Sequence, residues 1–320
     1  NVSHNSIGDI QRGTFARNSV LKVLNMSFNK IKKLDSNSFR GMRFLRRLYL
    51  SDNLISDVGR GTFSGIVKIG TIDLARNFIT KIDFQMFFQL NFIEIIDMSS
   101  NNVTLIEKLA FKDLYLTHIN ISHNLINKIE KGAFENCANI TVLDLSHNAI
   151  RNFSKETFDA TTYATEMILS HNLLTDLGSV PLHNMTGLKI LNVSHNLIRV
   201  IPRNTFPKLY ELHTIDLSFN NITDIFNAVF QTLFSLRNLN LSNNSLESIK
   251  PGTFGTLPTL LELDLSYNKL KDVSRSSLTR LASMRTLTLK GNHLETLFQL
   301  PISVSYLDLS NNYVKSLPAK

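Results

Sequence analysis

The chain is short of cysteine, and Cys137 is its only one. One thiol makes no disulfide framework, so the redox compartment cannot be read from disulfides. No run of 18 apolar residues occurs, so no stretch has the length to span a bilayer as a helix. No stretch of residues 1–320 reads as a signal peptide, a Pro/Gly/Ser-rich linker or a low-complexity segment. The P-loop, H-E-x-x-H and G-x-G-x-x-G patterns are also missing. Serine and histidine are neighbours several times, as in Ser122-His123, but adjacent strand residues point to opposite sides, which predicts no nucleophile–base pair there. We therefore expect no enzyme, no cofactor and no metal.

What the chain does have is a period. Asparagine recurs at Asn5, Asn29, Asn53, Asn77, Asn101, Asn124, Asn148, Asn172, Asn196, Asn220, Asn244, Asn268, Asn292 and Asn312, at steps of 24 residues broken once by 23 and closed by 20. Counting each asparagine as zero, positions −5, −3 and +2 are apolar throughout, as in Leu48, Leu50 and Ile55. Position +10 is Phe15, Phe39, Phe63, Phe87, Phe111, Phe134, Phe158, Phe206, Phe230 or Phe254, with Leu182 and Leu278 in two places. Alternation at −5 and −3 predicts a strand with one buried face. Such a repeat cannot bury its own leucines and must stack on its neighbour. The period is that of a leucine-rich repeat, and it predicts one solenoid of about thirteen turns over residues 1–320. The asparagine amides should bridge successive turns as a ladder, and the phenylalanines should form a spine.

Three irregularities stand out. One residue is missing between Asn101 and Asn124, a loss that a loop before the strand can absorb. After Asn148, Thr161 and Ala164 replace leucines, which predicts thinner packing and extra mobility. The repeat from Leu294 to Asn312 is short and lacks phenylalanine at its usual place. Neither end carries a cysteine-rich cap, from which we expect a piece of a longer chain, with any membrane anchor outside it.

Phrases such as Leu143-Asp144-Leu145-Ser146-His147-Asn148-Ala149-Ile150, with Phe158 ten residues on, resemble the typical class of extracellular leucine-rich repeats. That class includes Toll-type receptor ectodomains and the insect adhesion proteins chaoptin and artichoke, and the uncapped array looks most like the chaoptin type. The resemblance implies an α/β repeat solenoid: a horseshoe with a concave parallel β-sheet and an irregular, partly short-helical convex side. It also implies a cell-surface protein that binds a protein partner, a second copy of itself included, in cell adhesion; the alternative is a signalling receptor ectodomain for a secreted or microbial ligand.

Candidate binding residues follow from the columns expected on the concave face. Tyr49, Asp73, Asp97 and Asp144 stand at −4, and Phe28, Phe219 and Tyr267 at −1. A wide polar face with a few aromatics suits a protein partner. His123, His147, His171 and His195 also stand at −1, where a stacked row could sense pH or hold a metal, although histidine is more often an ordinary filler of an exposed place. Eleven N-x-S/T sequons occur, five of them where the repeat already places serine. Asn102, Asn139, Asn152, Asn184, Asn221 and Asn243 are the candidate glycan sites. The net charge of +8 is uneven: ten Lys and Arg lie between Arg12 and Arg47, against Asp35 alone. Such a cluster suits an acidic glycan, a membrane surface or nucleic acid, or is merely a solvated face; for the chain as a whole, nucleic acid is not the expected partner.

Overall fold

The computed structural model describes residues 1–317; the last three residues of the expected 1–320 solenoid lie outside the described residues. The chain divides into two compact units, Asn1–Ala164 and Thr165–Lys320. The division falls in the repeat whose leucines are replaced by Thr161 and Ala164.

In the first unit, three-residue strands run at Val23–Asn25, Arg47–Tyr49, Thr71–Asp73, Ile95–Asp97, His118–Asn120 and Val142–Asp144. Each pairs in parallel with the next, in phase with the repeat, so that Leu24 faces Leu48 and Leu48 faces Ile72. The 23-residue step leaves this register intact, since Asp97 faces Asn120. In the second unit, the strands Glu166–Ile168, Ile190–Asn192, Thr214–Asp216, Asn238–Asn240, Glu262–Asp264, Thr286–Thr288 and Tyr306–Asp308 pair in the same way. The middle residue of each strand points into the core and the outer two face away.

The remainder of each repeat is irregular, with short 3-10 turns at Leu177–Ser179 and Val229–Thr232. A second row of two-residue strands was not foreseen. Lys81–Ile82, Leu105–Ile106 and Lys128–Ile129 pair in parallel in the first unit, and Val200–Ile201 pairs with Asp224–Ile225 in the second.

Leucine, isoleucine and phenylalanine fill the interior. Phe39, Phe63, Phe87, Phe111 and Phe134 stack at 5.5–6.0 Å between ring centroids. Each such burial is worth on the order of 1.5–3 kcal/mol. Thr161, Ala164 and Met167 are fully buried, so the packing expected to be thin is closed. The Thr161 hydroxyl donates to the Phe158 carbonyl at 2.8 Å, and Phe153 packs on the Phe158 ring at 5.1 Å. In the short last repeat the buried ring comes from Phe298, four residues before the usual place, where Ile302 is fully exposed.

Within each unit the ladder asparagines tie successive turns. Asn53 Nδ2 donates to the Met26 carbonyl of the preceding turn at 3.0 Å and to its own Leu50 carbonyl at 3.1 Å, while its Oδ1 accepts from Ile31 N at 3.1 Å. Asn77, Asn101 and Asn124 repeat this in the first unit. Asn196, Asn220, Asn244, Asn268 and Asn292 do so in the second. Asn29 and Asn172 are buried with them, and Asn148 is half-buried. Among the described residues, no buried side-chain nitrogen or oxygen lacks a partner.

Candidate functional site

The strands stop after three residues because the next turn is closed by side chains. Asp97 Oδ1 accepts from both Ser99 N, at 2.9 Å, and Ser99 Oγ, at 2.6 Å, and Asp144 does the same with Ser146. This is an Asx turn, in which the carboxylate replaces a strand partner. Two of the −4 acids expected to bind a ligand, Asp97 and Asp144, thus also hold the backbone. Asp73 differs, because Ala75 stands where the others have serine; its carboxylate accepts only Ala75 N, at 3.0 Å. Burial, with the neighbouring charge of Asp97 assisting, pushes Asp73 above the usual carboxylate range. Tyr49 is half-buried on the adjacent strand.

The −1 residues are not on the strands, which corrects the reading of the Ser-His pairs. They occupy the turn, and the backbone there is left-handed: φ is 55° at Phe28, 53° at His123 and His147, 54° at Phe219 and 53° at Tyr267. Histidine, aspartate and asparagine tolerate this region, and glycine at the same place, Gly291, has φ 69°. Adjacency on a turn brings His123 Nδ1 within 3.2 Å of Ser122 Oγ, contrary to expectation. The hydroxyl gives its proton to Asn120 Oδ1 at 2.7 Å, so the imidazole is the donor to serine and orients it instead of activating it.

Large rings at left-handed positions cost about 1–2 kcal/mol each. Phe28, Phe219 and Tyr267 carry that cost while standing 48–49% exposed. They lie flat on their neighbours: Phe28 on His4 at 4.3 Å, and Phe219 on His195 at 4.3 Å. His123 stacks on His147 at 4.0 Å in the first unit, and His171 on His195 at 4.1 Å in the second. Tyr267 lies over Gly291, whose missing Cβ would stand 2.6 Å from the ring, with Lys290 Nζ 5.9 Å from its centroid. Each unit thus presents two rows: half-buried polar side chains on the sheet face, and flat rings along one border of it.

Of the candidate glycan sites, Asn102, Asn139, Asn152, Asn184 and Asn221 are exposed, while Asn243 is half-buried in a left-handed turn with its amide 3.3 Å from Ser242 Oγ. The sequence reading passed over another column. Phe44, Phe92, Tyr115 and Tyr163 each stand nine residues before a ladder asparagine and are 44–64% exposed. Counting back from the asparagine would have found them. Cys137 is fully buried, and burial pushes its thiol up to about 12. Among the described residues no cluster of His, Cys, Asp and Glu is arranged to hold a metal ion, and no helix is long and apolar enough to cross a membrane.

This architecture is that of a leucine-rich repeat solenoid. The leucine rich repeat family matches residues 114–174, 162–222, 186–246 and 234–294, and the BspA type leucine rich repeat region matches 8–141. The chain belongs to the leucine-rich repeat family. No curated protein sequence matches it. Among solved structures, it is similar to the protein in a TLR13–ssRNA13 complex, with 26% identity and a TM-score of 0.87 over 97% of this chain and 46% of that one. It shares its fold with Toll in the Drosophila Toll–Spatzle complex, at 19% identity and a TM-score of 0.82 over 96% of this chain and 46% of that one. A match of 25% identity and TM-score 0.73, covering 92% of this chain and 52% of the other, is to the LRIM1/APL1C complex. The chain therefore spans about half the length of these proteins.

Proposed function

We propose that this chain is a non-enzymatic, extracellular recognition solenoid that grips a protein partner with its sheet face and the ring-lined border beside it. The observation that carries this reading is the set of large aromatics, Phe28, Phe219 and Tyr267, kept half-exposed on left-handed backbone. A strained and exposed ring contributes nothing to the core, and aromatic side chains are enriched among binding hot spots. Exposed sequons at Asn102, Asn139, Asn152, Asn184 and Asn221 support passage through the secretory route.

The reading we put first is adhesion at the cell surface, in the manner of chaoptin-type proteins, with a second copy of the chain as one partner and an anchor supplied outside residues 1–320. The likeness to the Toll and TLR13 ectodomains supports a second reading, a signalling receptor that takes a secreted or microbial ligand. Cells displaying the chain separate the two. Aggregation of such cells, abolished by Phe219→Ser with Tyr267→Ser, is the expected result for adhesion. A chain that stays monomeric at high concentration and leaves cells dispersed removes homophilic adhesion and leaves the receptor reading.

A further inference from the structure

The first three repeats carry a surface in which one sign of charge is missing. Residues 10–24, 36–48 and 58–72 contain no aspartate or glutamate. They contain Arg12, Arg17, Lys22, Arg40, Arg43, Arg46, Arg47, Arg60 and Lys68, all of them exposed. These segments are the parts of each turn that lead into the sheet strand, together with most of the strand itself. The fold brings their most basic members together. Arg46 N and Arg47 N donate to the Lys22 carbonyl at 2.8 and 3.2 Å, Val23 faces Arg47 across the sheet, and Lys68 Nζ stands 4.9 Å from the centroid of the Phe44 ring. Among the described residues, no salt bridge involves any of the nine. Lys33, on the short strand Lys33–Leu34, is treated differently: it pairs with Asp35 at 3.0 Å.

Uncompensated like charge destabilises a fold through self-repulsion, and a dense anion relieves it. We propose that this lead-in surface of the first three repeats, around Lys22, Arg43, Arg46 and Arg47, binds a sulfated polysaccharide. The anion must be a polymer with charge along its length, because the cations are spread over three turns. A protein surface mixes both signs, and this patch has no carboxylate to receive a partner's cations. Single-stranded nucleic acid needs free aromatic faces on which bases stack. The exposed ring inside the patch, Phe44, already has Lys68 over it. The next exposed ring in that column, Phe92, stands beside Glu94, which occupies the place of Lys22 and Arg46 and turns the field against phosphate. Sulfate groups on a sugar chain need only the cations. Arg47 belongs to the sheet face, but the strained rings take no part in this patch, so the inference does not rest on the protein partner proposed above.

The test is a titration of the chain with heparin oligosaccharides at several salt concentrations. The variant Lys22→Gln, Arg43→Gln, Arg46→Gln, Arg47→Gln should weaken binding about tenfold or more at physiological salt and flatten its salt dependence, because fewer counterions are released. A control removes the same charge from exposed positions of the second unit, Lys189→Gln, Arg237→Gln, Lys269→Gln and Lys271→Gln, and should change the affinity by less than about threefold. Thermal melting of both variants checks that each is folded. Desulfated heparin should not compete. Equal losses in both variants would reduce the interaction to net charge and overturn the proposal. So would an absence of binding at physiological salt, tighter binding of single-stranded RNA of matched charge, or tighter binding of anionic lipid vesicles.

Discussion

The two units solve the same packing problem with different uniformity. From Phe15 to Phe158 the first unit has an aromatic ring in every turn, with neighbouring centroids 5.5–6.3 Å apart. The second unit has only Phe206, Phe230 and Phe254 in that column, flanked by Leu182 and Leu278, which are equally buried. The asparagine ladder differs hardly at all: its hydrogen bonds to the preceding turn are 2.9–3.0 Å in both. The contrast separates two kinds of constraint. An apolar cavity accepts any shape that fills it, whereas a set of buried peptide groups needs one particular arrangement of donors and acceptor.

Removing one ladder amide sharpens that contrast most. In Asn101→Leu, Ile79 N loses its partner, while the Leu74 and Met98 carbonyls lose one hydrogen bond each and keep those from Asn77 and Asn124. In Asn220→Leu, Ile198 N loses its partner, while the Val193 and Leu217 carbonyls keep those from Asn196 and Asn244. With about 1–3 kcal/mol for the unpaired buried N–H and about 0.5–1.5 kcal/mol for each of the two carbonyl hydrogen bonds lost, both variants should lose several kcal/mol, and by similar amounts. Hydrogen exchange of the turns on either side is the suitable readout, since a repeat array opens locally. A large difference between the two positions would break the claim that the ladder is uniform. Next in size is the spine. Phe111→Ala removes a ring with partners 6.0 and 5.5 Å away and should cost about 3–5 kcal/mol. Leu278→Ala removes a smaller side chain and should cost less, within about 2–5 kcal/mol. Denaturant melts that rank them the other way would mean that the ring column adds nothing beyond volume.

The stacked parallel strands were legible because the leucines at −5 and −3 alternate and the period repeats so many times. The second row of strands was not, since pairs such as Lys81–Ile82 are too short to show alternation. The candidate site was half legible. Asp97 and Asp144 were found, but their service to the Asx turn depends on where the strand stops, which composition does not reveal. Phe28, Phe219 and Tyr267 were found but placed on the strand. The residue types sharing their column carry the missed signal: His, Asp, Asn, Ser and Gly are what a left-handed turn admits, and a strand has no reason to prefer them.

The smallest expected effect compares two acids at one repeat position. Asp73, in the first unit, is raised by burial and has no serine hydroxyl to hold it. Asp308, in the second, is lowered by hydrogen bonds from Ser310 Oγ and N, at 2.6 and 2.9 Å. The signs of their linkage are opposite. Between the ordinary carboxylate value and its raised one, folded Asp73 holds more protons than the unfolded chain, so its contribution to stability falls as pH rises and is least favourable at neutral pH. Asp73→Asn keeps the acceptor for Ala75 N without the charge and should raise the melting temperature at pH 7, with the gain fading as pH falls through that window. Asp308 contributes stability that is full above the ordinary value and lost as pH falls through its lowered one, so Asp308→Asn should lower the neutral-pH melting temperature slightly. Ala75→Ser supplies the missing hydroxyl and should move Asp73 toward Asp308 in a carboxylate titration followed by NMR. A titration in which Asp73 stays put despite the added serine would mean that burial alone separates the two acids.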